Sequence, residues 1–179
     1  MSDYLHGAYG QIQAVGARVS DESLGALVYI GTAPVNQVEG GANNVNKPIV
    51  VRNIAEARKY FGYSDDWASF TLCEAMHVHF ELKGVGPLIL INVLDPTTHK
   101  AGSKTTKSLT PQNGRIIITE AEKIYMDSVE VKTTGETPAT KVKGTDYTIA
   151  YDIDKEQIVI QEITSGSLGT GALNISYDT

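Results

Sequence analysis

Residues 64–96 read SDDWASFTLCEAMHVHFELKGVGPLILINVLDP, and this stretch decides the fold class. It divides into a helix, a glycine turn and a buried strand. Ser64 or Asp65 is placed to cap the helix, and Asp65 and Asp66 put negative charge on its first turn, where the helix dipole favours it. Leu72, Met76 and Phe80 recur at i, i+4 and i+8, flanked by Cys73 and Ala75, and Glu74, His77 and Glu81 fall on the opposite, wet face. Gly84 is a C-terminal stop. Residues 87–94, PLILINVL, are apolar without alternation, the pattern of a strand covered on both sides. Asp95-Pro96 closes it with a turn signal.

On the N-terminal side, residues 24–33 (LGALVYIGTA) read as another buried strand, stopped by Gly31 and Pro34. A loop rich in Gly and Asn follows, then a short strand at 48–52. Asn53 is the N-cap of a helix over 54–61. Glu56 stands in a capping-box position, Ile54, Ala57 and Phe61 form the buried stripe, and Gly62 ends the helix. Residues 23–96 are therefore expected to form an α/β core portion, a mixed sheet with helices. Three strands make a thin sheet, which calls for further strands from elsewhere.

Beyond this core the composition changes. Residues 97–111 are rich in Ser, Thr and Lys and read as a linker. From 112 to 179 the pattern is all β, with candidate strands at 115–119, 129–133, 146–152, 157–163 and 172–178. Two of them alternate cleanly, through Tyr147, Ile149 and Tyr151 and through Leu173, Ile175 and Tyr177. Residues 152–156 are a hairpin connection and 166–171 a flexible turn. The expectation is a small antiparallel all-β domain or barrel. Residues 1–22 form a separate segment, in which Gly7, Gly10 and Gly16 interrupt a weak alternation. Too little apolar surface is present there to fold alone, so the segment reads as a frayed terminus or as an extended arm that pairs with a sheet edge elsewhere.

The 179 residues are 41% hydrophobic and 20% charged, with net charge −6 and no basic block. Nucleic acid and an anionic membrane are disfavoured as partners. One cysteine, Cys73, excludes a disulfide framework and sits on an apolar helix face as an inert thiol. No apolar run approaches the roughly 20 residues that span a bilayer, and the N-terminus lacks the basic leader of a signal peptide. Synthesis in a reducing cytoplasm is expected.

The candidate chemical sites are weak. His77 and His79 are two apart, so on a helix they point about 200° away from each other and do not share a metal ion. Asp152, Asp154 and Glu156 resemble the start of a calcium loop. Gln157 and Ile163 stand where that loop needs glycine and glutamate, so a charged hairpin turn is the better reading. Gly84-Val85-Gly86 and Gly40-Gly41 lead into strands, whereas a phosphate cradle needs a helix N-terminus after its glycines. No Gly-x-Ser-x-Gly elbow exists. No catalytic residue, cofactor or metal site is assigned, and by elimination the chain reads as a structural or interaction protein rather than an enzyme.

HGAYGQI (6–12), ALVYIGTAP (26–34), NKPIVVRNIAEARKYFGYSDDW (46–67) and FTLCEAMHVHFELKGVGPLILINVLDP (70–96) occur in this order and spacing. The combination resembles the contractile tail sheath proteins of myophage-type tails, defective prophages and phage-tail-like bacteriocins. The β region resembles the domain inserted into the sheath core, through Gly144-Thr145-Asp146-Tyr147 and Ser176-Tyr177-Asp178. The resemblance implies a subunit that polymerises helically around an inner tail tube and contracts to drive it through a cell envelope. Partners would be other sheath subunits, through strand addition, the inner tube protein and the baseplate. The subunit would be made in the bacterial host cytoplasm and assembled in the tail of the phage or phage-like particle. Residues 1–22 become the intersubunit arm, with Tyr4, Tyr9, Ile12, Val15 and Val19 as its apolar positions. Sheath chains of this kind return to the core after the inserted domain, so the remaining strands of the thin sheet are expected in sequence beyond 179. The other reading is a carbohydrate-binding or adhesin-like module presenting Tyr147, Tyr151 and Tyr177; exposure of those rings separates the two.

Overall fold

The computed structural model describes residues 27–179. Strand β1 (Leu27–Gly31) runs parallel to β3 (Leu88–Asn92), and β2 (Ile49–Val51) pairs antiparallel with β3, giving the order β1-β3-β2. This is the expected mixed sheet with helices. Helix α1 (Ile54–Phe61) starts where the sequence places it: the Asn53 carboxamide oxygen accepts the Glu56 N–H at 2.8 Å. The Glu56 carboxylate reaches one residue further back than a capping box requires and accepts the Arg52 N–H at 2.8 Å. Ala57 and Phe61 are buried against Val51, Leu88 and Leu90 of the sheet.

The second helix departs from expectation. Neither Ser64 nor Asp65 caps it: Ser64 instead closes a turn, in which Ser64 Oγ accepts the Asp66 N–H and Asp66 Oδ1 accepts the Ser69 N–H. Helix α2 begins only at Thr71 and runs to Met76. Its start is held from the end of β1, where the Thr32 hydroxyl accepts the Thr71 N–H at 3.2 Å, the Thr71 hydroxyl accepts the Thr32 N–H at 3.2 Å, and the Leu72 N–H reaches the Thr32 carbonyl at 2.9 Å. The helix then widens into a π segment, His77–Leu82. The extra residue per turn shifts the face, so Leu72, Cys73 and Met76 are fully buried and Phe80 only partly.

The covering of the sheet is also corrected. Both helices pack on one face, the face that carries Leu88, Leu90 and Val51. The other face lines up Val28, Ile89 and Val50 in one row and Ile30 with Ile91 in the next. Val28, Ile30 and Val50 are exposed, Ile30 to 70%. The non-alternating apolar run of β3 predicted two covered faces, and the described residues supply one.

The β region carries all five expected strands: β5 (Arg115–Ile118), β6 (Glu130–Thr133), β8 (Tyr147–Asp152), β9 (Gln157–Glu162) and β10 (Leu173–Tyr177). Two more join them. Strand β4 (Thr105–Leu109) lies inside the stretch expected as a linker and pairs antiparallel with β10; four of its five residues are exposed, which is why composition hides it. Strand β7 (Thr140–Lys141) pairs antiparallel with β6. The strands form two antiparallel sheets, β4-β10-β6-β7 and β5-β9-β8, around one core, and they do not close into a barrel. Alternation in β8 and β10 directs Tyr147, Ile149, Leu173, Ile175 and Tyr177 inward. Leu168, in the turn between β9 and β10, is fully buried and plugs this core.

Candidate functional site

The α/β portion and the β portion meet through polar groups. Asn36 Nδ2 donates to the Glu122 and Ile124 carbonyls at 2.7 and 3.1 Å, the Gly40 N–H donates to Asp127 Oδ2 at 2.8 Å, and Lys143 Nζ lies 2.9 Å from Glu39. Ile153 adds an apolar contact from the β8–β9 hairpin to the α/β core.

Beside this seam lies a cleft of about 440 Å³. The α/β side contributes Gln37, Arg58, Tyr63, Asp65, His77 and Glu81, and the β side Glu122, Tyr151, Asp154 and Glu156. Helix α1 and the π segment set the geometry of one wall. Arg58 Nη2 donates to Glu81 Oε1 at 3.0 Å, and its guanidinium lies 4.5 Å from the Tyr63 ring centroid. The other oxygen of Glu81 is 2.6 Å from His77 Nδ1, and the His77 ring stacks on Trp67 with centroids 5.0 Å apart. Across the cleft, Ser64 Oγ donates to Glu122 Oε1 at 2.5 Å.

The electrostatics are lopsided. Burial, with Asp65 and Glu81 adding, raises the Tyr63 phenol, and burial with Glu122 and Glu156 raises that of Tyr151 further. Both hydroxyls stay protonated at neutral pH. Asp65, Asp154 and Glu156 make no ion pair among the described residues. Such a cleft attracts a cation and offers hydrogen bonds.

The residues singled out in the sequence are scattered. His79 Nε2 lies 2.7 Å from the Tyr29 hydroxyl, on a different contact from His77. Among the described residues no three His, Cys, Asp or Glu side chains come together as a metal-ligand set. Cys73 is fully buried and burial pushes its thiol up to about 11, so the thiolate is scarce. Asp152 accepts from the Lys155 N–H and from Gln157 Nε2, the bonding of a charged hairpin turn. Tyr147 and Tyr177 are each 2% exposed and Tyr151 packs against the same core, so these rings do not form a sugar-stacking platform. The arm positions Tyr4, Tyr9, Ile12, Val15 and Val19 lie outside the described residues. Sequence reading missed Gln37, Arg58 and Glu122, which come from three distant segments with no local motif, and it placed Tyr151 in a strand without its part in the cleft.

No family model matches the chain, and no solved structure matches it. It is similar to the tail sheath protein of Burkholderia phage BcepMu, with 28% identity over 181 residues. That match covers 99% of this chain and 34% of the phage protein, so the chain spans about a third of the length of that relative.

Proposed function

We propose that this chain serves as a structural subunit, or the portion of one, in a contractile phage-type tail sheath. The observation that carries this reading is the similarity to a tail sheath protein across nearly all of the chain, through both the α/β and the β portions. In this role the protein polymerises helically around an inner tube and shortens to drive the tube through a cell envelope. Its partners are other copies, the tube protein and the baseplate. It acts without a catalytic step or cofactor, and without nucleic acid binding or membrane insertion. It is made in the bacterial host cytoplasm and ends in the particle tail.

Physical features favour a polymerising role. The outer face of the β1-β3-β2 sheet exposes several large aliphatic side chains, and a contiguous apolar face of this kind marks a surface that is covered in the functional state. Among the described residues strand β1 is also a sheet edge, and an edge offers main-chain groups to an added strand. Pairing at an edge through a flexible segment keeps subunits connected while they rotate, which contraction requires.

Electron microscopy of the complete open reading frame's product, concentrated with and without tube protein, tests the proposal. Striated tubes or contracted sleeves are expected. A product that stays monodisperse under both conditions would overturn it.

A further inference from the structure

Among the described residues the β1-β3-β2 sheet has two edges, and they are built differently. Strand β2 is three residues long, with Pro48 before it and Arg52 after it, which blunts it against further pairing. Strand β1 is five residues, LVYIG, with neither proline nor charge. The Gly31 carbonyl accepts the Val93 N–H on the β3 side. The next residue turns the other way: the Thr32 N–H donates to the Thr71 hydroxyl, and its carbonyl accepts the Leu72 N–H. Main-chain groups alternate in direction along a strand, so those of Val28 and Ile30 face the outer edge, which Thr71 closes at Thr32.

Beside this edge lies a groove of about 300 Å³, lined by Tyr29, Thr71, Glu74, Ala75, Val78 and His79. The Tyr29 hydroxyl, 2.7 Å from His79 Nε2, ties β1 to the π segment across it. Leu27 shares the helix-covered face of the sheet with Tyr29 and is still 47% exposed. A further strand beside β1 would bury Leu27 and send every second side chain into the groove.

The sequence just ahead of β1 carries such a strand. Val15, Ala17 and Val19 alternate with Gly16 and Arg18, and residues 20–26, SDESLGA, have the composition of a turn. In an antiparallel hairpin with Val19 opposite Leu27, Ala17 falls opposite Tyr29 and Val15 opposite Gly31. All three apolar side chains then face the groove, and the small Ala17 meets the part that Tyr29 and His79 already narrow. Sliding by two residues one way sets Asp21 against Leu27, and sliding the other way sets Gln13 against Gly31. Arg18 lies on the open face beside Val28, where its aliphatic stem covers apolar surface.

We propose that the β1 edge is a strand-acceptor site and that residues 15–19 of the same chain fill it as the outer strand of a β-hairpin. A five-residue edge offers far less than the roughly 800 Å² per partner that a stable complex buries, which disfavours a second copy. A segment tethered seven residues away is present at an effective concentration on the order of millimolar, so a small contact suffices. The assignment rests on the edge and the groove and stands whether or not the protein builds a sheath. In a subunit that polymerises, the hairpin keeps β1 closed to foreign strands until one displaces it.

NMR on the full 179-residue chain tests this. A close Hα–Hα contact between Ala17 and Tyr29 is expected in dilute solution, because that pair exchanges no hydrogen bonds and its backbones approach most closely. The Val28 and Ile30 amides should exchange at least about tenfold faster in Arg18→Pro, which removes the N–H facing Val28. The Leu90 amide in β3 should keep its rate, which shows that the sheet itself survives the change. Unprotected Val28 and Ile30 amides in the wild type, protection that persists in Arg18→Pro, or a contact in another register would each overturn the proposal. A sample that mixes ¹³C-labelled with ¹⁵N-labelled chains separates the sources. A contact confined to single chains supports the hairpin, and one between differently labelled chains assigns the strand to a second copy and overturns it.

Discussion

Asn92 offers the sharpest test of how the α/β portion is held together. It ends β3 and is fully buried. Its Oδ1 accepts the Ala33 N–H at 2.9 Å and the Leu94 N–H at 3.1 Å, and its Nδ2 donates to the Leu94 carbonyl at 2.8 Å. One side chain thus closes the backbone where the chain leaves both β1 and β3. Replacing it by leucine keeps the volume and removes all three bonds. Ala33 is itself fully buried, so its N–H is stranded, at a cost of about 1–3 kcal/mol. Leu94 is only half-buried, and water takes over part of its pairing, leaving about 1 kcal/mol more to lose. The added apolar surface returns part of this, so Asn92→Leu should cost about 2–3 kcal/mol in total, which lowers Tm by roughly 4–12 °C for a chain of this size. The only tryptophan, Trp67, packs against the α/β core, so urea unfolding followed by its fluorescence reads this portion. Hydrogen exchange at the Ala33 amide gives the local readout and should accelerate at least tenfold. A variant within 0.5 kcal/mol of wild type, or one destabilised without faster exchange at Ala33, would refute the assignment of these bonds.

Gly62 closes α1 with φ 73° and ψ −171°, a conformation open almost only to glycine, and a Cβ there would sit 2.4 Å from the Pro34 carbonyl oxygen. Gly62→Ala should cost at least about 2 kcal/mol by the same urea assay, whereas Gly84→Ala, at φ 62° with open space around it, should cost about 1 kcal/mol; equal costs would sink the steric argument. Lys104 and then Lys132 hold the Glu130 carboxyl down at about 2. A depressed folded value means that its contribution to stability is complete above the ordinary value of 4.5 and is lost as pH falls towards about 2. An NMR titration should place the Glu130 midpoint near 2, and a midpoint near 4 in the wild type would show that the lysines are not engaged in solution.

Legibility followed the range of the interaction. The Asn53 cap, Gly62 at the end of α1 and the alternation of β8 and β10 are set by neighbours in sequence, and each was readable. The start of α2 was misplaced because its capping groups come from Thr32, 39 residues away, while Ser64 and Asp66 imitate a cap locally. Strand β4 was hidden because an edge strand with one side in water needs little apolar content, and only Leu109 packs on the core. Leu168 sits among glycines and serines that read as a turn, and nothing in the flanking sequence reports that the turn folds back over the core. The cleft depends on side chains drawn from α1, the π segment and the β8–β9 hairpin, so it exists only once the two portions meet.

The unbroken apolar run of β3 raises a different question, because periodicity reports that a strand is buried and not by which chain. Ile89 and Ile91 lie between the exposed Val28, Ile30 and Val50 on a face that the helices leave open. In a protein that completes its fold alone, such a face is a liability, and selection would break it with charge or proline. Neither residue type occurs in β1, β2 or β3. The sequence therefore treats this face as interior, and the described residues do not cover it. The opposite chemistry of the cleft, polar and acidic, suits a contact that forms and releases, since its attraction is charge-based and salt-sensitive.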